Sequence, residues 1–309
     1  MSWKGSWKRR GPWLEVTPGR EIATDENRAE LVDSVEAVDR WLLNRLGLPD
    51  KLWRRLRHEK GIELTGDRLR LALFPVVDLG VIPRWYDLKI LYEDDFCLVV
   101  HKPAGMAVHP DGGVKDGPLT LDHAVASYYE INDIHTAVRH VHRLDVDTTG
   151  PVLYAKNEFS LLKLDEQMRA KDIGRRYVAL VRGKVPPSLR TLDWPIGKDR
   201  HHKQRRRVSP TGQKAVTHVE VGEVWGSGPN AVSLVYLTLE TGRTHQIRVH
   251  LSHAGYPLLG DVLYGGRAAD FGRQALHGER LTFCHPLSGE TIIVEDAWPD
   301  DFQKLHKQL

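Results

Sequence analysis

The sequence predicts an α+β protein built on a mixed, largely antiparallel central sheet with flanking helices, and three observations carry that prediction. RRYVALVRGKV (175–185) and NAVSLVYLTLETG (230–242) are rich in β-branched residues and alternate apolar with polar, as half-buried strands do. Residues 35–46 and 159–171 instead repeat apolar side chains at steps of three and four, the helical period. GIELTGDRLRLAL (61–73) and KILYEDDFCLVVH (89–101) each set two strand-like runs about a short polar turn, the pattern of a hairpin.

The elements follow in order. Residues 1–34 read as a loosely ordered arm, with three tryptophans and little periodicity. Val38, Trp41, Leu42 and Leu46 form one helical stripe that Gly47 stops, and a second short helix follows Pro49 with Leu52, Trp53 and Leu56 inward. Lys51, Arg54, Arg55 and Arg57 then share the outward face. With the hairpin at 61–73 this makes a small unit over 35–87, a degenerate S4-like RNA-binding domain and a linker containing a Trp-Tyr pair. A larger domain spans 88–309. It opens with the 89–101 hairpin and a Pro/Gly-rich loop, followed by an amphipathic helix over 119–129 and a strand at PVLYAKN (151–157). Helix 159–171, strands 175–185 and 230–242, and a helix with Ile247, Leu251 and Ala254 on one face complete it; Thr244 is its expected N-cap and Gly255 its stop.

Bulk properties narrow the function. Hydrophobic residues make up 41% of the 309 and charged residues 28%, the balance of a globular protein. No apolar run approaches the ~20 residues of a membrane span, and the basic N-terminus lacks the apolar core of a signal peptide. Two cysteines are too few for a disulfide framework, so a reducing, cytoplasmic setting is expected; a monomer is expected as well. Net charge is only +3, but it is concentrated in KRR (8–10), KLWRRLRHEK (51–60) and KDRHHKQRRR (198–207), a distribution that suits a polyanion.

The chemistry centres on HRLDVDTTG (142–150), where Asp145 follows an arginine and a leucine and runs straight into an apolar strand. Outside context such an aspartate is a turn former or helix cap; on a loop held by a sheet, it is placed for function. Asp-x-Asp-x-Thr also matches a phosphoryl-transfer signature, but that chemistry needs an apolar strand before the first aspartate, and AVRHVHRL is basic and polar. His245, His250 and His253 are close in sequence, yet 245 and 250 are poorly aligned on a helix and no glutamate accompanies them, so no metal is expected. Attack at a sugar's anomeric carbon remains. Hydrolysis there calls for a second acid to activate water, whereas one carboxylate beside a basic surface suits an isomerisation at a nucleotide.

HRLDVDTTG resembles the HRLDxxTSG motif of the RluA-type pseudouridine synthases, and ETGRTHQIRVHLSHAGYPLLGDVLYGG (240–266) is similar to that family's second signature over its whole length. HKPAGMAVHP (101–110) resembles its Lys-Pro-x-Gly loop, RRYVALVRG (175–183) its tyrosine strand, and IGKDRHHKQRRRVSPTGQKAVTHVEV (196–221) its basic hairpin and the strand after it. Together these cover about residues 88 to 295 in the family's order. The resemblance implies cofactor-free conversion of uridine in ribosomal or transfer RNA to pseudouridine. It makes Asp145 the catalytic aspartate, Arg243 the arginine paired with it, Tyr177 the tyrosine that stacks on the base, and Arg143 the arginine that fills the gap left when the base is extruded. RNA-binding residues are expected at Arg54, Arg55 and Arg57 on the N-terminal helix and at Lys203, Arg205, Arg206 and Arg207 on the hairpin.

Three positions depart from the family's pattern: Thr149 for the usual serine, Arg175 for a lysine two residues before the tyrosine, and Arg206 for a methionine. The rival reading is a catalytically silent RNA-binding or ribosome-assembly protein on the same fold; Asp145, Tyr177 and Arg243 together speak for the enzyme. Because the catalytic motifs all lie after residue 100, chemistry and target choice are expected in separable parts of the chain.

Overall fold

Short amphipathic strands need a partner sheet and a helix to cover them, and the first unit of the structure is built that way. The structure is a computed structural model that describes residues 6–18, 35–65, 68–110, 117–268 and 270–309. Strands β1 (Trp7–Arg10), β2 (Trp13–Val16), β3 (Ile62–Thr65) and β4 (Arg68–Leu71) pair antiparallel in the order β1-β2-β4-β3. Helices α1 (Val35–Asn44) and α2 (Asp50–His58) close over one face, with Val38, Trp41, Leu42, Leu52 and Leu56 meeting Leu14, Val16, Leu69 and Leu71 in one core. Two expectations are corrected here. Residues 7–16 are not a loose arm but a hairpin, because β2 finds its register on β4 (Leu14 opposite Leu71, Val16 opposite Leu69). Nor do the α2 basic residues form one free face. Arg57 donates to Asp39 of α1 and Arg55 pairs with Glu158 of the next unit, leaving Lys51 and Arg54 exposed.

The second unit begins with the antiparallel sheet β5 (Ile90–Glu93), β6 (Cys97–Lys102) and β7 (Gly150–Ala155). Alternation on β6 and β7 sends Cys97, Val99, Leu153 and Ala155 to one face and Leu98, Val100, Val152 and Tyr154 to the other. Helix α3 (Leu121–Ile131) covers the latter face and is far more buried than its amphipathic reading suggests: Leu121 through Ser127 are all buried, with Tyr129. Thr120 caps it, accepting from His123 N–H at 3.4 Å. The other face meets α4 (Glu158–Ala170) and also the N-terminal unit, since the same core runs from Leu42 and Leu71 through Phe96, Val99, Phe159 and Phe283. Trp7 and Phe74 pack edge-on against Phe96 with ring centroids 5.2 and 5.4 Å away. A shared core of this kind ties the N-terminal unit to the second one, against the expectation that the two are separable.

A six-stranded antiparallel sheet follows, in the order β15-β14-β8-β13-β12-β9. Its strands are β8 (Gly174–Arg182), β9 (Thr191–Asp193), β12 (Val216–Trp225), β13 (Val232–Leu239), β14 (Leu276–Cys284) and β15 (Thr291–Glu295). On central β8, Tyr177, Ala179 and Val181 face α5 (Gln246–His253), while Val178 and Leu180 face α6 (Asp300–Lys307). The short hairpin β10 (Ile196–Lys198) and β11 (Arg206–Val208) stands apart from the sheet, against α5. Every pairing between named strands is antiparallel, within the α+β architecture read from the sequence. Among the described residues, no helix is long and apolar enough to cross a membrane.

Candidate active site

The two sheets of the second unit meet at the end of HRLDVDTTG. Gly278 N–H of β14 donates to Thr149 O at 2.8 Å, and a β-carbon on Gly150 would lie 2.8 Å from three backbone atoms of Gly278. Gly150 also has φ +140, so both space and conformation demand glycine where the sheets touch. Behind this seam His277 is wholly buried, its pKa lowered by burial, and its Nε2 donates to the Asp296 carbonyl at 3.0 Å. Nδ1 of the neutral ring is then an acceptor, and takes the Thr149 hydroxyl proton at 2.9 Å. The hydroxyl kept by threonine in place of serine thus anchors the loop.

Lys102 holds the loop from its other end. Its side chain is fully buried and its Nζ donates to the carbonyls of Pro103 and Met106 at 2.7 Å and of Val146 at 2.6 Å, joining the Lys-Pro loop to the residue after Asp145. Burial pushes its pKa down to about 7, with Asp147 and then Asp145 opposing. Sequence reading passed over this residue as part of a motif; three carbonyls for three N–H groups are visible only in the fold.

Asp145 itself is one-quarter exposed and bonded by an arginine, but not the expected one. Arg248 Nη1 donates to Asp145 Oδ2 at 3.2 Å, while its Nε and Nη2 hold the wholly buried Asp261 carboxylate at 2.8 Å each. Burial works against the Arg248 charge, yet the bonds and charge of Asp261, with Asp145 behind them, outweigh it and raise its pKa. Arg243, assigned this role from the sequence, instead donates through Nε to Lys214 O at 3.0 Å in an exposed position. The reason is the entry to α5. His245, not Thr244, is the N-cap and takes φ +58, so the helix starts later and its first turn presents Arg248 to Asp145. Gln246 locks this entry: its Oε1 accepts from Thr241 Oγ1 and Arg243 N, and its Nε2 donates to Val216 O and Thr217 Oγ1, all within 3.0 Å.

Two cavities adjoin at Asp145. The inner one, of about 280 Å³, is walled by Tyr177, His142, Arg175, Leu276 and Ile247. Tyr177 is only 6% exposed, and burial raises its pKa, with Arg175 opposing and Asp145 adding to the rise. The outer one, of about 680 Å³, is an open groove edged by Lys203, Arg206, Arg273 and His109. Tyr264 places the basic hairpin there: its hydroxyl accepts from Arg206 N–H at 2.8 Å and shares a hydrogen bond with His245 Nδ1 at 2.8 Å, and the Arg205 guanidinium stands over its ring. Arg207 points away and is exposed. Arg143 lines both cavities, its Nη1 donating to His109 Nε2 at 2.8 Å; arginine can only donate, so that imidazole nitrogen carries no proton. The three histidines weighed as metal ligands bind elsewhere: His250 contacts Thr217 Oγ1 and Trp194 O, His245 Tyr264, and His253 the Trp194 ring. Among the described residues, no cluster has the makings of a metal site.

Residues 96–253 match the family model described as RNA pseudouridylate synthase. The chain belongs to that family. Its relatives include the uncharacterised RNA pseudouridine synthase YhcT of Bacillus subtilis, 45% identical over 78% of this chain and 78% of that one. Ribosomal large subunit pseudouridine synthase D of Yersinia pestis is 40% identical over 92% of this chain and 90% of its own, so the match reaches into the N-terminal unit. Among solved structures, human RNA pseudouridylate synthase domain containing 1 superposes with a TM-score of 0.58 at 27% identity, covering 69% of this chain and 84% of that one. The synthase is therefore an RNA-modifying isomerase that turns uridine into pseudouridine, and the catalytically silent alternative is not favoured. What sequence reading missed in the synthase is the support of its aspartate: Arg248, Asp261, Lys102 and His277. Only Arg248 and Asp261 left a signal, as the two residues of 246–264 that carry a charge at neutral pH.

Proposed function

We propose that Asp145 opens the glycosidic bond of a uridine in ribosomal RNA, Tyr177 stacks on the extruded base, and the groove beside them holds the strand. The observation that carries this is the position of Asp145, oriented by Arg248 at the junction of a nucleoside-sized cavity and a basic groove. C1′ and C5 of a stacked uridine cannot both be reached, so the base has to leave its helix first. Arg143, at the mouth of both cavities, takes the vacated place in the stack. The N1–C1′ bond then breaks with Asp145 acting on the sugar, uracil turns in the inner cavity, and C5 bonds to C1′. C5 loses a proton and N1 gains one, so the balance calls for no redox cofactor.

Lys203 and Arg206 supply phosphate contacts along the groove, and Arg205, over the Tyr264 ring, stiffens that basic edge. Of the α2 residues expected to bind RNA, Arg54 is exposed, beside Lys51, while Arg55 and Arg57 serve the fold. Ribosomal RNA is favoured over transfer RNA because relatives matching most of the chain are large-subunit synthases. The test is pseudouridine mapping across total RNA from cells lacking the gene, complemented with wild type or Asp145→Asn. One or more large-subunit sites should vanish and return only with wild type. Loss confined to transfer RNA would reassign the target, and restoration by Asp145→Asn would remove Asp145 from the chemistry.

A further inference from the structure

The inner cavity contains a cation with nothing to hold. Arg175 is 9% exposed, yet its guanidinium makes no hydrogen bond or ion pair with any described residue, and its Nε is sealed from water without a partner. Ion pairs elsewhere in the synthase show what is missing: Arg248, equally buried, is bound by two carboxylates. A buried charge left open is costly, and the cost persists only where something else meets the charge. Arg175 stands two residues before Tyr177 on β8, so both side chains leave the same face of the strand and line the same cavity as Asp145.

The neighbouring chain is shaped around this guanidinium. A β-carbon on Gly242 would lie 2.6 Å from Arg175 Nη1 and 3.4 Å from its Cζ, so glycine there leaves the group its room. Gly242 does not need the left-handed region, which makes space the reason for it. A second open donor is close by. His142 Nε2 accepts from Leu153 N–H at 3.3 Å, which puts the ring proton on Nδ1, and Nδ1 is buried with no partner. Arg175 is among the charges that, after burial, hold the His142 pKa down, which places the two donors side by side.

We propose that Arg175 donates to a carbonyl oxygen of the extruded uracil and carries the negative charge the base acquires as its glycosidic bond opens. This rests on the reading of the cavity as the uridine site. When N1–C1′ breaks, the bonding pair stays with the ring and spreads over N1, O2 and O4. A desolvated guanidinium beside one of those oxygens is worth most at that moment, and least for neutral uracil. The same contact keeps the freed base in the cavity while C5 turns toward C1′. RNA affinity is set by the groove outside, so Arg175 acts on the rate and not on binding.

The test uses full-length synthase and a cognate RNA carrying uridine, 2-thiouridine or 4-thiouridine at the target, read as saturated single-turnover rates and RNA dissociation constants. Sulfur accepts hydrogen bonds poorly, so wild type should be slowed tenfold or more by one of the two replacements, and which one identifies the oxygen. Arg175→Met should lose at least a hundredfold in rate on uridine, with affinity within threefold, and its penalty for that sulfur should fall below twofold. Arg175→Lys should recover at least tenfold over Arg175→Met, and Gly242→Ala, which displaces the guanidinium without removing it, should slow uridine at least tenfold. The proposal is overturned if Arg175→Met retains a rate within threefold of wild type, if neither sulfur slows wild type, or if the sulfur penalty is the same in both proteins. Should Arg175→Met fail to fold, the sulfur penalty of Arg175→Lys decides: reduced supports the contact, unchanged refutes it. Absence of pseudouridine formation by wild type on any cellular RNA would instead refute the parent reading of the site.

Discussion

Replacing Arg248 by methionine tests the central correction that the fold makes to the sequence. Arg248 is 91% buried and is shared between Asp145 and Asp261, and the Asp261 side chain has no exposure at all. Removing the guanidinium strands a buried carboxylate that had two bonds of 2.8 Å, a change that costs about 3–5 kcal/mol. Arg243→Met removes one bond, from an exposed side chain to Lys214 O, and should stay within about 0.5 kcal/mol of wild type. Rate should separate the two as well. With Asp145 no longer oriented, Arg248→Met should lose at least about a hundredfold in saturated single-turnover rate, near 2.7 kcal/mol of barrier. A double change, Arg248→Met with Asp261→Leu, removes the stranded charge along with its partner and should regain most of the stability. It should not regain the rate, because Asp145 stays without its arginine. Urea unfolding and single-turnover pseudouridine formation on saturating RNA supply both numbers. Equal rate losses in Arg243→Met and Arg248→Met, or recovery of rate by the double change, would refute the assignment of Arg248 as the residue that orients Asp145.

Lys102→Met should leave the carbonyls of Pro103, Met106 and Val146 without their donor, lowering stability by about 1–3 kcal/mol for each group that water cannot reach; an unfolding midpoint equal to wild type would contradict the clamp. His142 is buried neutral, its pKa lowered to about 3 by burial, then by Arg175 and His140. A folded value below the unfolded one gives stability that is whole above about 6.5 and lost as pH falls toward 3, or about 2 kcal/mol between pH 7 and 5. His142→Leu should flatten that slope in urea titrations, and an unchanged slope would assign it to other groups. Deleting residues 1–85 should not yield a tidy catalytic domain. It bares Phe96, Leu153 and Phe159, so the truncated protein should aggregate or bind a hydrophobic dye, and a monomeric, fully active truncation would show that the shared core is dispensable.

The amino-acid sequence by itself determined many of the elements and singled out Asp145 as the candidate catalytic residue. Alternation in 175–185 and 230–242 and the three-and-four spacing in 35–46 and 159–171 are local signals, and those segments are strands β8 and β13 and helices α1 and α4. HRLDVDTTG and the 240–266 stretch are contiguous strings, so the family is legible without coordinates. What needed the tertiary structure were pairings across long sequence separations, which no local propensity encodes. Residues 7–16 read as a loosely ordered arm because they show little periodicity of their own; β1 exists by pairing with β2, which finds β4 some fifty residues on. Arg55 and Arg57 read as solvent-facing on helical geometry, but Glu158 and Asp39 arrive from other elements to meet them. Arg243 and Arg248 lie five residues apart in one motif, equally charged and equally near a helix start. The left-handed turn at His245 and the depth of Asp261 decided which of them reaches Asp145, because a buried carboxylate on one side fixes a guanidinium so that its remaining nitrogen points to the other.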